Sequence, residues 1–141
     1  MRDLMNNVHP VNIIPPGTTT SDATHIVSAV VNRLGFGSVT FVLSSGTLSD
    51  PDATFGILIE HGDAANLSDA EAVPDELLIG TEALTGFTAG DDNAVRKIGY
   101  VGGKQYQRLT IVPVGNSAAA GFSAVAILGH PVNAPTANPP A

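Results

Sequence analysis

The stretch Val95-Arg-Lys-Ile-Gly-Tyr-Val-Gly-Gly-Lys-Gln-Tyr-Gln-Arg-Leu-Thr-Ile-Val-Pro-Val114 decides the fold. Two runs rich in β-branched and aromatic residues flank Gly102-Gly103, so a strand, a glycine turn and a second strand are expected, joined as a β-hairpin. In the second run Tyr106, Arg108, Thr110 and Val112 share one face, while Gln107, Leu109 and Ile111 share the other. That period of two marks a strand with one face on a core.

The same reading extends outward from this pair. Downstream, Gly115 to Gly121 is a small-residue loop, and Phe122 to Leu128 is a nearly continuous apolar run, expected to be a central strand. Upstream, Ser38 to Ser44 alternates, with Val39, Phe41 and Leu43 on one face. Thr54 to Glu60 is the next strand, after a turn at residues 46–52. Thr24 to Asn32 is rich in β-branched residues and reads as a strand, with a short helix closed by Gly35 and Gly37 as the alternative. Leu77 to Ile79 and Leu84 to Thr88 are further short strands. One helix is expected, over residues 66–73, where Ser68 and Glu71 have capping-box spacing and Pro74 ends the run.

About seven or eight short strands separated by turn signals imply an all-β fold, an antiparallel β-sandwich or jelly roll with one short helical excursion. In residues 1–22, Val8 to Ile14 could pair as a strand that Pro10, Pro15 and Pro16 limit to an edge, and the segment as a whole reads as an extended N-terminal arm. Residues 23–130 form the sandwich, and residues 131–141 a proline-rich tail. Within the arm, Val11, Ile13 and Ile14 are the apolar side chains expected to meet a partner, by adding a strand to a neighbour's sheet edge.

Charged residues make up 13% of the 141 residues, against roughly 25% in an ordinary globular domain. Thr, Ser, Asn, Ala and Gly replace them, giving a neutral, hydrogen-bonding surface suited to packing against neighbours. The formal net charge is -7, with only six Lys and Arg, which argues against direct nucleic-acid binding and against an anionic membrane surface. The absence of Cys excludes disulfides and thiolate chemistry. The start MRDLMNNVHP has no apolar core of a secretory signal, and no apolar run approaches a membrane span. A soluble protein made in the cytoplasm is expected.

Neither a catalytic constellation nor a cofactor site is expected. His9, His25, His61 and His130 lack metal-ligand spacing. Asp50 and Asp52, and Asp91-Asp92-Asn93, supply too few converging oxygens for calcium and suit turns equally well. There is no G-x-S-x-G elbow, P-loop or dinucleotide fingerprint. Four of the six basic residues, Arg96, Lys97, Lys104 and Arg108, fall in the glycine-turn pair. They are read as a docking face for an acidic partner, or alternatively as a solvated face.

Val95 to Ile111, with its Tyr-Val-Gly-Gly-Lys turn, followed by Ser123-Ala-Val-Ala-Ile-Leu-Gly-His-Pro131, resembles a family of small structural proteins of tailed bacteriophages. Asp50-Pro-Asp-Ala-Thr-Phe55 and Asn66-Leu-Ser-Asp-Ala70 are similar to it as well, so the resemblance covers residues 20 to 132. It implies a virion protein, and within that class a capsid decoration (cement) protein. Such a protein sits on the outer shell, binds the major capsid protein and is often trimeric. A tail, neck or fibre component is the alternative within the virion. A glycan- or receptor-binding sandwich module stands further off, since aromatic residues are only 5% and Trp is absent. An enzyme ranks last.

Overall fold

A computed structural model describes residues 2–140. The chain forms two antiparallel sheets packed as a β-sandwich with one short α-helix. The strands are β1 (Val8–Thr20), β2 (Ile26–Val27), β3 (Val31–Asn32), β4 (Phe36–Leu48), β5 (Thr54–Gly62), β6 (Glu71–Ala72), β7 (Leu78–Ile79), β8 (Phe87–Thr88), β9 (Val95–Tyr100), β10 (Tyr106–Val114) and β11 (Ala120–Pro131), and the helix α1 is Glu82–Thr85. One sheet has the order β1-β11-β4-β9-β7. The other runs β2-β10-β5-β6, with β3 also on β10 and β8 on β5. Five of these strands span two residues each. The long ones other than β1 match the strands expected from sequence.

The alternation read from sequence fills the space between the sheets. Val39, Phe41 and Leu43 of β4 meet Leu109 and Ile111 of β10, all essentially inaccessible. Phe122 packs between Phe55 and Phe87, with ring centroids 5.0 Å and 5.4 Å away at tilted angles. Such aromatic pairs add to the large apolar area each ring removes from water. β11 lies between β1 and β4, as its apolar composition implied.

Several expectations are corrected. The run 95–114 is not a hairpin. β9 pairs with β4 and β7 in one sheet, whereas β10 pairs with β5, β2 and β3 in the other. The intervening residues 101–105 form an arch across the edge of the sandwich. A longer connection needs no ladder between its flanking strands, and Tyr100 holds this one. Its buried ring sits under Gly102, where any Cβ would run into it. Its hydroxyl accepts the Lys104 N–H at 3.1 Å.

Residues 1–22 are not a free arm. Val8–Thr20 forms the edge strand β1 along nearly the whole of β11, and Ile13 and Ile14 are 3% and 1% exposed within this chain's own core. Register shifts at Asn12/Ile14 and Ile14/Thr18 accommodate Pro15 and Pro16, whose lack of N–H is tolerable at a sheet edge.

The helix is not at residues 66–73. Leu67 has φ 53°, which breaks a helical path, and the Asp69 carboxylate accepts the N–H groups of Asp63 and Ala64 (2.8 and 3.1 Å). The segment is therefore a closed loop ahead of β6. The helix is Glu82–Thr85, capped by the Thr81 hydroxyl accepting from Leu84 N–H at 3.1 Å. Thr24 to Asn32 is split into β2 and β3, because Ser28 turns inward there. Its hydroxyl accepts the Leu109 N–H at 3.0 Å and donates to the Ala29 carbonyl at 2.8 Å.

Candidate interaction surface

Period-two alternation leaves half of each strand facing outward. On the outer face of the five-stranded sheet, cross-strand rows follow from the register: Pro10–Ile127–Thr40–Gly99, Asn12–Val125–Val42–Lys97, and Ser123–Ser44–Val95. The centre of this face is aliphatic and hydroxyl-bearing, and Thr40, Val42, Val125 and Ile127 are half-buried. Ser44 and Ser123 share a hydrogen bond at 2.9 Å. A shallow depression of about 280 Å³ opens at one end, lined by Leu4, Val8, Thr40, Ile127, His130 and Pro131.

Charge is distributed unevenly. None of the thirteen acidic residues lies in β1, β4, β7, β9 or β11. The basic residues in those strands are Arg96 and Lys97. Arg96 is engaged with Asp91 at 2.9 Å and lies 5.2 Å over the Phe87 ring. Lys97 is exposed on the outer face. The outer face of the other sheet carries Val27, Leu58, Thr110 and Val112, with Arg108 paired to Glu60 at 3.0 Å.

The four basic residues do not form one face. Lys97 points out of one sheet and Arg108 out of the other, because the arch carries the chain across the sandwich. Lys104, in the arch, pairs with Asp63 at 2.6 Å, and that carboxylate raises its pKa. Three of the four are thus engaged with carboxylates of the same chain. Of the apolar residues assigned to the arm, Val11 is half-buried against the core, and Ile13 and Ile14 lie inside it.

The acidic residues singled out in the sequence also act within the chain. The Ser117 hydroxyl, together with the N–H groups of Asp52 and Ser117, holds the Asp50 carboxyl below its ordinary value. The Thr88 N–H, then the Thr88 hydroxyl and Arg96, do the same for Asp91. Among the described residues no group of three or more His, Asp or Glu side chains is placed to hold a metal ion. No helix among them is long and apolar enough to cross a membrane. His9 stacks on Phe36 at 5.6 Å, and His130 Nδ1 lies 3.0 Å from the Ser38 hydroxyl.

The outer face of the five-stranded sheet was missed in the sequence. Its signal was the run Phe122 to Leu128. A strand that is apolar on both faces is normally covered on both faces, yet here Ser123, Val125 and Ile127 face outward.

No protein-family model and no curated protein matches the sequence. Among solved structures, the chain is similar to the VP2 protein of the infectious bursal disease virus subviral particle, at 18% identity and a TM-score of 0.55, over 91% of this chain and 33% of VP2. The chain therefore spans a third of the length of that capsid protein. It is also similar to the CBM36-1 domain of a multidomain xylanase from the hindgut metagenome of Trinervitermes trinervoides (14% identity, TM-score 0.49, covering 88% of this chain and 98% of that domain). A family 22 carbohydrate binding module of Clostridium thermocellum Xyn10B matches at 7% identity and a TM-score of 0.41, over 94% of this chain and 92% of the module. At these identities the likeness to VP2 is one of fold.

Proposed function

We propose that this chain is a structural component of a virion, and specifically a capsid decoration (cement) protein. In this reading it sits on the outer surface of a tailed-phage head, bridges neighbouring major capsid subunits and has no catalytic role. One observation carries the proposal. A two-sheet sandwich presents broad faces of hydroxyl and aliphatic side chains, while Arg96, Lys104 and Arg108 are engaged in ion pairs of its own and Asp50 and Asp91 in its turns. The resemblance over residues 20 to 132 supports the assignment to a phage, and the fold shared with part of a viral capsid protein is consistent with it.

The mechanism is mechanical. Packaged nucleic acid presses outward on a thin shell. Each bridging domain adds interface area that must be lost before the subunits separate, and many weak contacts repeated by symmetry act together. Because Val8–Thr20 is engaged in this chain's own sheet, the bridging contacts fall to the sheet faces and loops rather than to an inserted arm.

The test is the copy number of this chain in purified particles relative to the major capsid protein, by quantitative mass spectrometry. A ratio near one to one is expected. A few copies per particle, or none, would overturn the reading.

A further inference from the structure

The strands of the five-stranded sheet concentrate neutrality in a chain that is otherwise acidic. A protein of formal charge -7 brought against a second copy of itself meets mutual repulsion wherever carboxylates face one another. The outer face of this sheet is where two copies approach with least of that penalty, since none of its strands carries Asp or Glu and Asp3 adjoins it only at one end. Its centre, Val42, Val125 and Ile127, is apolar on a side that this chain leaves open.

We propose that this face is a self-association surface whose occupant is the same face of a second copy. The pairing is isologous, as in most two-fold assemblies. With the two-fold axis running along β11 and β4, Lys97 of one copy falls across from Asn12 of the other, so the exposed cation meets an amide and not its own equivalent. Strands about 4.8 Å apart, with outward rows running roughly 30 Å, give on the order of 500 Å² per copy. The total of about 1,000 Å² lies at the lower limit of specific interfaces. The pair is therefore concentration-dependent. The inference deepens the structural role proposed above, since a pairing decoration protein ties together the shell sites its copies occupy.

The test is sedimentation velocity of the full chain over about 5 to 500 µM. The wild type is expected to reach twice the monomer mass within that range. Val125→Glu, whose side chain points outward, is expected to weaken association at least about tenfold with an unchanged circular dichroism spectrum. Lys97→Glu, at an exposed position, makes each facing surface more negative by two charges and so weakens association by repulsion should Val125→Glu fail to fold. Val112→Glu, on the outer face of the other sheet, is expected to associate as the wild type does. A wild type that stays monomeric throughout would overturn the proposal, as would Val125→Glu and Lys97→Glu chains that pair normally. Loss of pairing in Val112→Glu alone would move the interface to the other sheet. Monomers whose shell binding is lost in Val125→Glu would assign the face to the capsid protein. Copy number in particles is read separately, so failure here is distinguishable from failure of the virion assignment.

Discussion

The hydroxyl of Tyr100, on the five-stranded sheet, lies 2.8 Å from Nδ1 of His61, on the opposing sheet. Both side chains are buried, and their rings meet edge to face at 5.7 Å. With the Lys104 N–H also on that hydroxyl, one oxygen ties together β9, β5 and the arch. Tyr100→Phe keeps the ring but leaves a buried ring nitrogen and a backbone N–H without their partner. Each such loss costs about 1–3 kcal/mol. The variant is expected to fold, with a lowered urea midpoint and an arch that proteases cut faster. A midpoint equal to that of the wild type would remove the hydroxyl from the account of the arch.

Acid is expected to destabilise the fold through its turns. The carboxyls of Asp3, Asp22, Asp50, Asp69 and Asp91 are all held below their ordinary value, 3.8, chiefly by N–H and O–H donors. A depressed folded-state pKa favours folding while the carboxylate is charged, so the contribution is complete above the unfolded value. It is lost as pH falls through the folded-state values. Thermal midpoints are expected to be flat from neutral pH to about 5 and to fall below about 4. In Asp50→Asn, which weakens the link between the loop after β4 and Ser117, part of that acid sensitivity disappears. An unchanged slope in the variant would count against Asp50 as a contributor.

The outer edge of β5 is closed by a side chain. β6 and β8 pair with β5 at its two ends, and between them the Glu82 carboxylate accepts the Ile59 N–H at 2.7 Å. Glu82→Ala leaves that N–H without its acceptor and frees α1 from the sheet, a loss of about 1–3 kcal/mol. Hydrogen exchange at Ile59 is expected to accelerate. Glu82→Gln, which keeps an acceptor oxygen, is expected to recover most of the protection. Equal exchange in both variants would show that solvent already reaches this edge.

Sequence periodicity located the strands because their inward halves obey a period of two, as in Val39-Phe41-Leu43 and Gln107-Leu109-Ile111. It did not reveal which sheet each strand joins. Gly102-Gly103 marks a turn whether the chain doubles back within one sheet or crosses to the other, and the deciding contact, Tyr100 with His61, joins residues distant in sequence. In the sequence Ile13 and Ile14 read as arm residues, because Pro10, Pro15 and Pro16 limit any strand there to a sheet edge. Prolines at a sheet edge do not prevent burial of the residues between them. Ser68 and Glu71 match a capping box locally, but Asp69 closes a loop there by accepting the N–H groups of Asp63 and Ala64. The basic residues looked like a patch only while β9 and β10 were assumed to share a sheet.

Ser28 offers a test of how the β2–β3 segment is joined to the core. Between these two short strands the backbone leaves the ladder of β10, and the Ser28 hydroxyl takes the place of a carbonyl by accepting the Leu109 N–H at 3.0 Å. The Ser28 N–H in turn donates to the Leu109 carbonyl at 2.8 Å, and the Ala29 N–H reaches across to the Ile13 carbonyl of β1 at 3.0 Å. This short segment therefore links the edges of the two sheets, beside residues that are inaccessible to solvent. In Ser28→Ala the Leu109 N–H stays buried without an acceptor, which costs about 1–3 kcal/mol. Ser28→Thr keeps the hydroxyl and is expected to retain most of the stability. Chemical unfolding of the three proteins measures the difference. If alanine and threonine variants are equally stable, the hydroxyl plays no part, and the bend between β2 and β3 rests on the backbone bonds to Leu109 and Ile13 alone.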